Sequence, residues 1–155
     1  SSAFAIQELN LPVKNVVADL DTQDFYVGGS LLEVAVDPTH PVMAGMPTKA
    51  NVFVGQSPVF TTTEGFKGAA LAKYQEAGSP LLSGYLLGEE HINGYAAALD
   101  VRHGDGHVIL IGFRPQWRGQ AFGTFRVLFN AALFQGENAA DAQGSTDFWS
   151  PPPER

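Results

Sequence analysis

Apolar residues alternate with others over "LLEVAVD", so Leu32, Val34 and Val36 share one face, the period of two expected of a strand. "ALAKYQ", "PLLSGYLL" and "YAAALDV" predict three more strands, and "NVFVGQSPVF" predicts two short strands or one strand bulged at Gly55. "HVILIGF" is apolar throughout after its histidine, which predicts a strand at 107–113 buried on both faces in the centre of the sheet. Beyond Gly123 the period lengthens. Phe125, Leu128, Phe129 and Leu133 recur at helical spacing and predict the core face of a helix near 124–135. A second short helix is expected near 1–10, capped by Ser1 or Ser2, carrying Phe4, Ile6 and Leu9 and stopped by Pro12.

The punctuation between these runs sets the connections. Asn93-Gly94 and Gly104-Asp105-Gly106 put residues tolerant of positive φ between apolar runs, as hairpin turns do. "DTQDFYVGGS" and "TTTEGFKGA" read as loops, and "PTHPVMAGMP" has room for one helical turn between its prolines. After Gln135 the text turns polar and ends in three prolines before Glu154, predicting a flexible tail over 136–155 behind one domain at 1–135. The fold class is α/β, a mixed sheet with hairpins and flanking helices.

Composition narrows the function classes. A chain of 155 residues that is 45% hydrophobic suits one domain with a substantial core. Its formal net charge of −7, without a basic stripe, argues against a nucleic-acid partner. No cysteine is present, which excludes a disulfide framework, a thiolate metal site and a cysteine nucleophile within this chain. No run reaches the roughly 20 apolar residues of a membrane-spanning helix.

Candidate chemistry is sparse. The histidines are His40, His91, His103 and His107, and none is followed at the third position by a glutamate, as a His-x-x-Glu zinc site requires. His103 and His107 flank Asp105 in a glycine-rich turn, where solvent-exposed turn residues are expected rather than metal ligands. Glu89, Glu90 and His91 form a cluster between strands, read as a charged strand end, with an acid/base site of a hydrolase as the lesser alternative. No serine elbow, phosphate-binding loop or dinucleotide fingerprint occurs. The richest stretch is the loop after "HVILIGF". Arg114, Gln116, Trp117, Arg118 and Gln120 precede the helix that starts at Thr124. The residue types fit a structural loop whose arginines and glutamines satisfy carbonyls or pair with carboxylates under Trp117 and Phe122, and as the alternative an anion site of arginine forks and helix amides.

"DFYVGGSLLEVAVDPTHPVMAGMP", "SPVF", "LLSGYLLGEE" and "GFRPQWRGQAFGTFRVLFNAAL" together resemble the C-terminal region of a group of bacterial zinc carboxypeptidases, from about Ser1 to Leu133. In those proteins a carboxypeptidase A-like catalytic domain is followed by a domain resembling class I glutamine amidotransferases. The resemblance implies the C-terminal part of a flavodoxin-like, amidotransferase-like domain whose leading parallel strands precede Ser1. It also implies that Arg114 stands where an amidotransferase has its histidine, and Gln116 where it has its glutamate. Arginine stays charged at working pH and glutamine has no proton to exchange, so glutaminase chemistry is not expected.

The implied role is a non-catalytic accessory domain of a secreted or periplasmic zinc carboxypeptidase, bracing the catalytic domain or assisting substrate binding. Zinc would belong to the upstream catalytic domain, and no cofactor is expected in this chain. The expected partner is that upstream domain, or the N-terminal remainder of the same domain, with a homodimer as the other choice. The competing class is a sensor that binds a small anion through the Arg114/Arg118 loop.

Overall fold

The computed structural model describes residues 2–119, 121–134 and 147–153. In chain order these form helix α1 (Ser2–Glu8) and strands β1 (Val13–Asn15) and β2 (Tyr26–Val36). A helical turn at Pro41–Met43 leads to β3 (Lys49–Gly55), β4 (Phe60–Thr62), β5 (Gly68–Lys73), β6 (Leu81–Ser83) and β7 (Leu86–Leu87). A second turn at Glu89–His91 precedes β8 (Ala96–His103) and β9 (Gly106–Ile111), and a third at Phe122–Thr124 runs into helix α2 (Phe125–Leu133).

One sheet dominates this mixed α/β fold. Its main path runs β1-β4-β8-β5-β2-β3, with β6 and β7 also on β2 and β9 also on β8. Every ladder among the described residues is antiparallel, so the mixed, flavodoxin-like sheet expected from the sequence is not what these strands form. The long β2 organises one half. Leu32, Val34 and Val36 point into the core as their alternation predicts, and a bulge at Gly28/Ser30 absorbs the irregular start of the strand. That strand begins at Tyr26, inside the stretch expected to be a loop. The bulge therefore lies on β2, and β3 simply ends at Gly55.

The doubly buried strand is β8, not the stretch 107–113. Ala96 through Val101 are all buried, with β5 along one edge of β8 and β9, then β4, along the other. The β8 side chains serve two apolar clusters. Ala97 and Ala98 join one with Leu32, Val42, Met43, Tyr74 and Val127, while Ala96, Leu99 and Val101 join another with Leu11, Val13 and Phe60. β9 pairs only with β8 among the described residues, and only its Leu110 is fully buried. An uninterrupted apolar run registers hydrophobicity without registering which strand has two neighbours, and small alanines gave β8 the closer cover.

The turns divide similarly. Gly104 (φ 58) and Asp105 join β8 to β9 as a two-residue hairpin, with His103 opposite Gly106. Gly94 does take positive φ (78), but the strand before it, β7, pairs with β2, so Asn93-Gly94 is a turn into β8 and not a hairpin. Within the stretch expected to be a flexible tail, Asp147–Pro153 is docked. The Trp149 indole Nε1–H donates to Gly94 O (2.8 Å), and Phe148 and Trp149 pack on the cluster around Leu99.

The largest correction concerns α2. Val127 is its fully buried residue, whereas Phe129 and Leu133 are 62% and 78% exposed and Leu128 is also exposed. The helix is seated by its polar side. Asn130 Nδ2–H donates to Val42 O and Ala44 O (both 3.1 Å), and Arg126 Nη1–H donates to Gly45 O (2.6 Å). These bonds satisfy carbonyls of the Pro41–Met43 turn region and bring Val127, Ala131 and Phe134 inward, leaving the bulkier face outward.

Candidate functional site

The loop between β9 and α2 is built on β3. Arg114 N–H donates to Phe53 O (2.8 Å), an isolated bridge that carries the chain from one half of the sheet to the other. Phe53 then supports the loop's aromatic residue: the Phe53 and Trp117 rings stack at 5.8 Å with planes 16° apart. Both guanidiniums gather on the same indole. Arg114 Cζ lies 4.2 Å, and Arg118 Cζ 5.2 Å, from the Trp117 ring centroid. Attraction between a cation and an aromatic face holds such a cluster without neutralising it.

Neither arginine makes an ion pair with a carboxylate of the described residues. Arg114 is half-buried and Arg118 exposed, the order expected from Arg114's place at the end of a core strand. The backbone here is strained: Arg118 (φ 45) and Ala121 (φ 52) take left-handed conformations without being glycine, with Gly119 (φ 73) between them. Such residues cost of order 1–3 kcal/mol each and cluster where a loop presents side chains for function.

The other candidates in this stretch separate. Gln116 is exposed beside the stack, and Gln120 lies outside the described residues. Thr124 is buried and structural. Its hydroxyl lies 2.7 Å from Pro115 O and 2.8 Å from Ala121 O, and its N–H donates to Ala121 O, so it closes the loop and does not face a ligand.

A second constellation, missed by sequence reasoning, is buried between the sheet and the Pro41–Met43 turn. Asp100 on β8 bridges two imidazoles: Oδ2 meets His40 Nε2 at 3.0 Å and Oδ1 meets His107 Nδ1 at 2.7 Å. His40 is wholly buried, its Nδ1 accepting from Val42 N–H (3.2 Å) and so leaving the proton on Nε2 for Asp100. Phe134 covers both rings, at 5.5 Å from His40 and 5.1 Å from His107. His107 Nε2 is buried with no hydrogen-bond partner.

His107 is therefore not the exposed turn residue expected beside His103 and Asp105. The hairpin register turns it inward onto Asp100, while His103 and Asp105 stay exposed. The available signal was Asp100 itself, one charge inside the apolar run "YAAALDV". Both carboxylate oxygens are occupied by imidazole nitrogens, and among the described residues no group of three or more His, Cys, Asp or Glu is arranged to hold a metal ion.

Glu90, His91 and Tyr95 line a polar cleft of about 330 Å³ with Lys14 and Thr61. Glu90 is exposed and 3.9 Å from His91, and Glu89 is half-buried.

Fold and loop together define an antiparallel-sheet α/β domain that presents two arginines on an aromatic platform, paired with no carboxylate among the described residues. No family model, no curated protein and no solved structure matches this chain.

Proposed function

We propose that this chain is a non-catalytic accessory domain that binds an anionic, carboxylate-bearing ligand through Arg114 and Arg118. One observation carries the reading: two guanidiniums share the Trp117 indole and meet no carboxylate among the described residues. Arginines serving only to brace the loop would be expected in internal ion pairs. Arginines held by stacking keep their forked donors for an incoming carboxylate. Trp117 restrains both side chains beforehand, which reduces the ordering cost on binding.

The resemblance of "GFRPQWRGQAFGTFRVLFNAAL" to the C-terminal region of bacterial zinc carboxypeptidases supplies the context we propose. There the domain would assist a secreted or periplasmic peptidase, whose products and substrates carry the C-terminal carboxylate this loop suits. The finer assignment, an amidotransferase-like domain completed by chain outside this sequence, belongs to the same proposal. Arg114 and Gln116 would then mark an inactivated glutaminase corner, and zinc would sit in the parent's catalytic domain.

The test is titration of the chain with N-acetylated amino acids and with their amides, followed by tryptophan fluorescence. Saturable binding of the acids alone, weakened by Arg114→Ala and by Arg118→Ala, is expected. Equal response to acids and amides, or binding unchanged in both variants, would refute the loop as the site.

A further inference from the structure

We propose that the outward face of α2 is a docking surface for an acidic, amphipathic helical segment of another protein. Phe122, Phe129 and Leu133 are 71%, 62% and 78% exposed, and with Phe125 they recur at spacings of three and four along one side of the helix and its leading turn. Phe122 and Phe125 are in ring contact at 5.4 Å, so the stripe is continuous. A contiguous apolar surface of this kind marks an interaction site more often than a chance exposure.

The undescribed residues of this sequence hold no large apolar side chain to set against this stripe. Residues 135–146, "QGENAADAQGST", carry alanines as their only apolar side chains, and the other undescribed residues are Ser1, Gln120, Glu154 and Arg155. Charge selects among the occupants. From Gly106 to Phe134 the chain has three arginines, Arg114, Arg118 and Arg126, and none of its sixteen acidic residues. Phe122 lies against Gly119, next to the exposed Arg118, so the apolar stripe runs directly into the cationic loop.

A second copy seated on this stripe across a two-fold axis would bring like-charged arginines towards their own mates. An anionic membrane calls for a helix face rich in Lys and Arg, and α2 carries one basic residue, Arg126. A helix with leucine-type anchors every third or fourth residue and flanking carboxylates satisfies both halves of the surface: apolar side chains against Phe125, Phe129 and Leu133, and carboxylates towards Arg118 and Arg126. The apolar anchors lie on α2 and its leading turn and only Arg118 is shared with the small-anion loop, so the surface stands whether or not that loop takes a free carboxylate.

The probes are two fluorescently labelled synthetic helices of about 18 residues, with leucine at every third and fourth position. One has glutamate and the other lysine at its remaining positions, and anisotropy is read at physiological salt. The glutamate helix should bind at least about tenfold more tightly than the lysine helix. The double variant Phe129→Ser/Leu133→Ser should lose at least about tenfold in that affinity while keeping its circular dichroism, its melting temperature and any binding of N-acetylated amino acids. Arg118→Ala should weaken the glutamate helix as well.

Equal affinity for the two helices, or binding indifferent to the double variant, overturns the proposal. So does a sedimentation-detected dimer abolished by Phe129→Asp, which would give the face to a second copy. Association with phosphatidylglycerol vesicles that the double variant abolishes would give it to lipid and equally overturn the proposal.

Discussion

Asp100 and His107 face each other diagonally across the β8–β9 ladder, where Asp100 pairs with Ile109 and Arg102 with His107, and the diagonal brings His107 Nδ1 to 2.7 Å from Asp100 Oδ1. Diagonal neighbours on one face of an antiparallel pair are within side-chain reach, and here the reach closes around a buried carboxylate. Through His40 the same carboxylate fastens the Pro41–Met43 turn to the sheet, and α2 is seated on that turn. Asp100 is thus a joint between the sheet and the helix that follows the cationic loop.

Asp100→Asn should therefore destabilise the fold by about 1–3 kcal/mol, because an amide offers one acceptor where two imidazole donors need one each. Asp100→Ala should cost more, about 3–5 kcal/mol, by leaving both buried imidazoles unpaired. Asp105→Ala, in the exposed turn of the same hairpin, should leave stability unchanged. Urea unfolding midpoints at constant slope would measure all three, and an Asp100→Asn midpoint equal to that of the parent protein would remove the joint from the account.

The loop residues should separate stability from binding. Arg114→Ala loses a half-buried stack on Trp117 but strands no hydrogen-bond partner, so its cost should be about 0.5–2 kcal/mol. Arg118→Gly removes a side chain from a left-handed backbone position (φ 45) and should be neutral or stabilising by up to about 1 kcal/mol, while weakening the binding of N-acetylated amino acids. Thermal melts paired with fluorescence titrations test this, and a clear drop in the melting temperature of Arg118→Gly would show that the side chain stabilises more than it strains.

Gly112 sits where β9 gives way to β4 along the edge of β8, its N–H donating to Ala97 O (2.8 Å). A Cβ there would press on the carbonyl oxygens of Pro58 and Ala97, both backbone atoms with little freedom to yield. Gly112→Ala should cost at least about 1–3 kcal/mol, as overpacking does, and Gly112→Val more. Denaturation midpoints no lower than those of Gly123→Ala, a position with open space around it and no positive φ, would contradict the close approach.

Tyr74 is completely buried and its hydroxyl finds no partner among the described residues. Burial pushes its ionisation well above the ordinary value of 10.0. The folded state thus favours the neutral phenol: the stability this contributes is fully present below about pH 10 and is lost as pH rises past it, at up to about 1.4 kcal/mol per pH unit. Tyr74→Phe should keep or slightly raise stability at pH 7 and should flatten the alkaline limb of the stability curve. Ultraviolet difference titration would show one tyrosine ionising only on unfolding in the parent protein and not in the variant.

Much of the local structure was legible in the chain itself, because neighbouring residues decide it. Alternation placed Leu32, Val34 and Val36 inward on β2, and Gly104-Asp105 set the hairpin by backbone tolerance alone. Arg114 was readable as the better-buried arginine from its position after a core strand. What sequence could not settle was which strands become neighbours. "HVILIGF" is more apolar than "YAAALDV", yet β8 acquired neighbours on both edges and became the covered strand. Apolarity permits burial, but the surrounding ladders allocate it.

The same division explains α2 and the histidines. Its spacing correctly predicted a helix, since helical period is a local property. Which face turns inward was decided by Asn130 and Arg126 meeting the carbonyls of Val42, Ala44 and Gly45, more than eighty residues earlier in the chain. His40 and Asp100 are sixty residues apart, and no spacing rule connects them until β8, β9 and that turn are packed together. Short-range sterics and periodicity determined the elements. Long-range hydrogen bonds between groups that could not be left unpaired in the interior decided the pairing, the exposed face and the buried carboxylate.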